Sequence, residues 1–154
     1  MAKVTVGKKV PSFSLAATGG PFKSRDALGS KLVVYFYPRD NTPGCTLEGA
    51  AFRDLHAKFR RAGAIILGIS TDTLASHEKF KAKMEFPFAL GSDEDHTAAG
   101  LFGAWKEKNM YGKKVMGIER STFLIDATGV LRQEWRKVKV AGHAEAVLEA
   151  VRAL

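Results

Sequence analysis

Cys45 is the only cysteine in the 154 residues, and it closes the run Pro38-Arg39-Asp40-Asn41-Thr42-Pro43-Gly44-Cys45, directly after the apolar stretch 31–37. A strand ending in proline and a turn, then Thr42 as helix cap and Pro43 at the first helical position, predicts that Cys45 lies in the first turn of a helix. Unpaired N–H groups and the positive end of the helix dipole favour a thiolate there. A free thiol, with a pKa of ~8.5, is only a few per cent ionised at neutral pH, so this setting decides its reactivity. Thr42 and Cys45 also have capping-box spacing, which predicts a threonine hydroxyl reaching both the sulfur and an oxygen-bearing substrate. Pro38 offers no N–H and is read as a wall that limits water without adding an unmet donor.

Such a nucleophile can attack a carbonyl, a disulfide or a peroxide. Acyl transfer calls for a general-base histidine, yet His56, His77, His96 and His143 fall in four separate segments with no signature tying one to Cys45. Dithiol exchange calls for Cys-x-x-Cys, and here the first position is Thr42. Peroxide cleavage needs only an in-line thiolate and donors for the departing oxygen. Backbone amides near Gly44 and Cys45, the Thr42 hydroxyl and one guanidinium would suffice. Arg120, beginning the strand Arg120-Ser121-Thr122-Phe123, is the candidate guanidinium, because an adjacent parallel or central strand is expected to end beside the helix start; Arg39 is the local rival. No histidines and acids have metal-ligand spacing, so neither a metal site nor a cofactor is expected.

The elements that must hold these residues follow from periodicity. Segments 31–37 and 64–70 are continuous and β-branched, as in strands covered on both faces. Between them Leu47, Ala51, Phe52, Leu55 and Phe59 recur at helical spacing, predicting a helix over 43–61 that Gly63 ends. This is a right-handed parallel crossover. Further helices are predicted over 74–83 (bounded by Asp72 or Thr73), 97–102 and 143–154, a short strand at 88–90, and a hairpin pairing 121–126 with 130–136 around Gly129. A leading hairpin is expected around 10–20, and 105–117 reads as an irregular, functional or mobile loop. Trp105, Trp135 and Met84 are expected in or near the core. The order β-α-β-α then β-β-α predicts an α/β, thioredoxin-like fold: one domain over 1–154, a central mixed sheet flanked by helices, with the N-terminal hairpin added.

Composition narrows the setting. With 45% hydrophobic and 26% charged residues the chain suits one globular domain. No apolar run approaches a membrane span, and the start Met-Ala-Lys-Val-Thr-Val lacks the apolar segment of a secretory signal. A lone thiol fits a reducing, cytoplasmic compartment. The net charge of +8 raises nucleic acid as a partner, but the basic residues are dispersed and no nucleic-acid-binding signature accompanies them. Solvated faces are the reading, with the cluster near Lys106 left to steer an acidic partner protein.

Pro38-x-x-x-Thr42-x-x-Cys45 resembles the active-site motif of peroxiredoxins, and the longer run from Tyr37 to Glu48 resembles the bacterioferritin-comigratory, or Q-type, subfamily. The segment from Gly117 to Asp126 is similar to the one carrying that family's active-site arginine, and the likeness extends from Val6 to the final helix. The resemblance implies a thioredoxin-like fold, hydrogen peroxide and organic hydroperoxides as substrates, Cys45 as the peroxidatic cysteine, Pro38, Thr42 and Arg120 as its partners, and Glu48 as the acid that orients the arginine. It also implies a monomer, often reduced through thioredoxin. One departure stands out: many members carry a resolving cysteine five residues on or on the following helix, and here Ala50 and a cysteine-free 74–83 occupy those places. The resulting sulfenic acid must then be reduced by an external thiol (thioredoxin, glutaredoxin or glutathione) and should be more open to overoxidation. The plainer alternatives are a buried structural cysteine, Thr42 as a simple cap, Arg120 as an ordinary ion-pair residue, and Glu48 as an ordinary helix acid. A non-turnover redox sensor or chaperone-like binding protein is the rival function.

Overall fold

The computed structural model describes residues 4–154. The opening residues 1–3, on which the expectation about a leader partly rests, lie outside the described residues. In chain order the elements are β1 (Ser14–Ala17), β2 (Phe22–Lys23), a 3₁₀ turn (Ser24–Ala27), β3 (Lys31–Phe36), α1 (Pro43–Arg61), β4 (Ala64–Ser70), α2 (Leu74–Met84), β5 (Ala89–Ser92), α3 (Thr97–Phe102), β6 (Trp105–Met110), β7 (Lys113–Ile118), β8 (Ser121–Ile125), β9 (Leu131–Trp135) and α4 (His143–Arg152). Seven strands form one mixed sheet in the order β2-β1-β5-β4-β3-β8-β9.

The central strand β3 explains the layering. Its residues alternate between faces, as a pleated strand requires. Val33 and Tyr35, with Tyr37 beyond the strand end, enter a core with Phe52 and Phe59 of α1, Phe80 of α2 and Val147 of α4. Leu32, Val34 and Phe36 enter the opposite core with Ile69, Phe102 and Phe123. Both faces are covered, so the strand reads as an unbroken apolar run. It pairs in parallel with β4, from Lys31↔Ala64 to Phe36↔Ile69, and α1 makes the expected crossover. Antiparallel β8 flanks β3 on its other side with Phe36 opposite Ser121. The beginning of β8 therefore stands beside the end of β3, where the chain turns into α1.

Several boundaries move. The strand expected at 88–90 runs over Ala89–Ser92, because Phe88 stacks on Phe86 with ring centroids 5.0 Å apart. The last helix stops at Arg152. The face of α1 is rotated from the expected one: Leu47 is 64% exposed, while Cys45, Glu48, Gly49, Phe52 and Phe59 are buried. Trp105, Trp135 and Met84 pack half-buried against the cores, as expected.

The largest correction concerns 105–117, which is not irregular. It forms the antiparallel ribbon β6–β7, from Trp105↔Ile118 to Met110↔Lys113. Tyr111 and Gly112 turn it with φ of 53° and 79°. A two-residue turn with positive φ at both positions is ordinary hairpin chemistry, but tyrosine rarely signals it. Much of the ribbon is exposed, so the apolar alternation that marks a half-buried strand is absent.

Candidate active site

The first hydrogen bond of α1 runs from Thr46 N to Thr42 O at 2.9 Å. The amides of Gly44 and Cys45 precede it, so the helix supplies them no carbonyl. Cys45 sits there, 2% exposed, with its sulfur turned toward β8. Arg120, just before β8, donates from Nη2 to Cys45 Sγ at 3.4 Å. Its Nη1 donates to Glu48 Oε1 at 2.6 Å, one helical turn beyond the sulfur. A carboxylate behind the guanidinium thus fixes which edge faces the thiol. Gly44 has a steric part in this as well: a Cβ there would come within 3.1 Å of Arg120 Nη2.

Glu48 is almost wholly buried, and among the described residues its Oε2 has no hydrogen-bond partner. Burial lifts its carboxyl from 4.5 to about 7, against the opposing pull of Arg120. His143 lies near the same arginine, bonded through Nε2 to Thr122 Oγ1 at 2.8 Å. Burial and the Arg120 charge push its imidazole down to about 4.

Thr42 occupies the expected cap position, with φ −94° and ψ 157°, but its hydroxyl makes no cap bond. It donates instead to Arg39 O at 2.9 Å. That bond closes a turn in which Asn41 is left-handed, φ 61°, and the proton is no longer free for the sulfur. The hydroxyl's lone pairs remain as acceptors. Pro38 is half-buried at the edge of the site. Arg39 is exposed, and its mapped role is the carbonyl that receives Thr42. Ala50 is half-buried on α1, and no cysteine stands on α2.

Chain spacing gave no hint of the polar cluster behind the loop that leads into α1. Tyr37 donates to Asp40 Oδ1 at 2.6 Å, and Ser76 Oγ donates to Asp40 Oδ2 at 2.8 Å. His77 Nδ1 lies 2.7 Å from Asp40 Oδ2, and its Nε2 lies 2.9 Å from Gly91 O. Burial pushes the Asp40 carboxyl up, but the bonds from His77 and Tyr37 outweigh it and leave it below its ordinary value. The Asp40 amide donates to Asp72 Oδ2 at 2.8 Å, completing the tie between the loop and α2. Ligand-type atoms of Asp40, Asp72 and His77 lie within 4.8 Å of one another, a convergence no local spacing discloses. They are engaged with one another and with neighbouring hydroxyls and amides, which accounts for them as a structural network.

Lys108, on the ribbon, carries no local sequence signal that would place it near the site. It is half-buried, and burial together with the Arg120 charge holds its ammonium below its ordinary value, against the opposing influence of Cys45 and Glu119. Its stem lies over Gly117, where a Cβ would sit 3.5 Å from Cδ.

The fold and the arginine-bound cysteine at a helix start define the class: a thiol peroxidase on a thioredoxin-like scaffold. The chain belongs to the AhpC/TSA family, whose model matches residues 6–134, and within it to the peroxiredoxins. Peroxiredoxin Bcp of Xanthomonas campestris is 54% identical over 140 residues, 90% of this chain and 88% of that protein. PrxQ of Xylella fastidiosa superposes with a TM-score of 0.93 at 41% identity, covering 99% of this chain and 98% of that one. The X. campestris bacterioferritin comigratory protein, solved in trapped intermediate/ligand complexes bearing on its alkyl peroxide reduction activity, superposes with a TM-score of 0.88 at 53% identity, covering 92% and 90%. Among the described residues no helix is long and apolar enough to cross a membrane.

Proposed function

We propose that Cys45 reduces hydrogen peroxide and organic hydroperoxides in a one-cysteine cycle, and that Arg120, Thr42, Pro38, Gly44 and Glu48 serve it. The observation that carries this reading is the Arg120 Nη2 bond to Cys45 Sγ at 3.4 Å, with Glu48 holding the guanidinium from behind. The thiolate attacks the terminal oxygen of ROOH, which keeps its hydrogen; the S–O bond forms, the O–O bond breaks, and RO⁻ departs, taking a proton from solvent to leave as ROH. Sulfur gives up two electrons and becomes a sulfenic acid. Charge moves from sulfur across both oxygens, and the guanidinium and the Gly44 and Cys45 amides are fixed donors for it. Thr42, its own proton committed to Arg39, accepts from the peroxide O–H, which orients the reacting oxygen toward the sulfur.

With one cysteine in the chain, an external thiol completes the cycle. It displaces water from the sulfenic acid to give a mixed disulfide, and a second thiol releases Cys45. Thioredoxin, glutaredoxin and glutathione all meet that requirement. The activity of the X. campestris relative supports alkyl hydroperoxides as substrates. The same reading takes 1–154 as one monomeric domain in the cytoplasm, with no membrane or nucleic-acid partner. Stopped-flow peroxide consumption tests it: wild type should turn over with added thiol, and equal, slow consumption by wild type and Cys45→Ser would overturn it. A single stoichiometric oxidation with no turnover by any thiol would favour the sensor reading, which the absent second thiol makes the natural rival.

A further inference from the structure

A cleft of about 530 Å³ shares Pro38 and Arg39 with the loop that leads to Cys45. The ribbon forms one wall with Trp105, Lys108 and Met116, and the approach to α2 forms the other with Thr71, Thr73 and Ser76. The volume falls within the range of small-molecule sites, about 300–1,000 Å³. Among the described residues, no carboxylate lies within ion-pair distance of the Lys108 ammonium. Asp72 is the acid in the lining, and its Oδ2 is engaged, accepting from the Asp40 amide and from Ser70. Arg39 adds a second, exposed cation to the lining. On the opposite wall, the Thr73 oxygen accepts from Ser76 N, which leaves its hydroxyl proton for a ligand.

We infer that this cleft receives the reducing co-substrate, and that the co-substrate is a small thiol bearing carboxylates, bound through Lys108. The inference rests on the one-cysteine peroxidase reading and names the chemical class of its second substrate. Three observations converge on it. Hydrogen peroxide is neutral at physiological pH, so a partly desolvated cation does nothing to select it, whereas an anionic thiol gains directly from it. Cys45 is 2% exposed, which favours a slender thiol over one carried on a folded protein surface. The cation, the hydroxyl wall and the Trp105 ring together suit a short peptide-like molecule with charged ends. In the step itself the bound thiol's sulfur attacks the Cys45 sulfenic sulfur; the S–S bond forms, the S–O bond breaks, and hydroxide leaves with the thiol's proton as water. A second molecule of the same thiol then attacks the mixed disulfide, forming the oxidised thiol dimer and returning Cys45 reduced.

The test separates the two half-reactions. Protein treated with one equivalent of peroxide is first weighed by mass spectrometry; failure to form the sulfenic acid overturns the peroxidase reading itself. The oxidised protein is then reduced by glutathione or 3-mercaptopropionate, which are anionic, and by 2-mercaptoethanol, which is neutral, with rates normalised to thiolate concentration. Lys108→Gln should slow the anionic thiols about tenfold and leave 2-mercaptoethanol within about twofold, and Lys108→Arg should restore the difference. Raised salt should erase the wild-type advantage of the anionic thiols. An equal loss for all three thiols, no change for any of them, or reduction by a protein dithiol alone would overturn the assignment.

Discussion

Two buried acids, eight residues apart in the chain, lie on either side of the start of α1 and meet their partners in different ways. Asp40 is saturated: Tyr37, Ser76 and His77 all bond its oxygens. Glu48 meets Arg120 through one oxygen, while the other is buried without a partner among the described residues. The first arrangement lowers a carboxyl below its ordinary value, and the second leaves one lifted to about 7. A satisfied network rigidifies, as the Asp40 cluster does in tying the loop to α2 and β5. An under-satisfied pair leaves its cation available, and Arg120 gives its second nitrogen to the sulfur. The contrast separates scaffold from reactive site more clearly than burial does, since both acids are buried.

The largest expected effect is Cys45→Ser, which should bring peroxide consumption to the uncatalysed level in a stopped-flow assay. Arg120→Met should lower kcat/KM for peroxide by about 10²–10³, the usual loss for a fixed donor to developing charge. On the other side of the contrast, His77→Ala leaves Asp40 buried without its imidazole partner and should cost about 1–3 kcal/mol in urea unfolding. A large activity loss in folded His77→Ala protein at unchanged stability would break the division of labour.

The smallest effects are in pH dependence. Glu48 binds its proton up to about 7 when folded and to 4.5 when unfolded. In that window the folded state holds more protons, so its contribution to stability falls as pH rises. His143 runs the other way: unfolded it takes a proton near 6.5, folded only near 4, so its contribution falls as pH drops through that range. Where the windows overlap the two slopes oppose each other. Glu48→Gln should therefore expose a steeper acid loss, and His143→Gln should expose stability declining toward neutral pH, both read from urea midpoints. Unchanged slopes in both variants would remove the electrostatic account of the Arg120 neighbourhood.

How much of this was legible depends on the range of the interaction. The cap position of Thr42, Pro43 at the helix start, the 19 residues of α1 and the parallel crossover follow from local chain chemistry, and they appear where the spacing put them. Arg120 was placed beside the helix start on the expectation of a parallel or central strand ending there; it stands there instead because antiparallel β8 begins where β3 ends. The ribbon was hidden because exposed strands carry no apolar alternation, and the rotation of α1 was hidden because Leu47 looks like a core residue until the neighbours that cover it are known to be absent. The threonine proton was misassigned because the left-handed Asn41 turn brings the Arg39 carbonyl within its reach.

By itself the sequence determined that there is one cysteine, that a helix start presents it, and that no second cysteine of the given chain can pair with it, because these depend on residue identity and on contacts a few places along the chain. Only the tertiary structure decided which cations share the sulfur's surroundings, which acid is satisfied and which is not, and that a cleft with a cation unpaired to any described carboxylate lies beside the reactive loop. Charges separated by tens of residues acquire meaning through distance and dielectric, and the packed chain alone sets both.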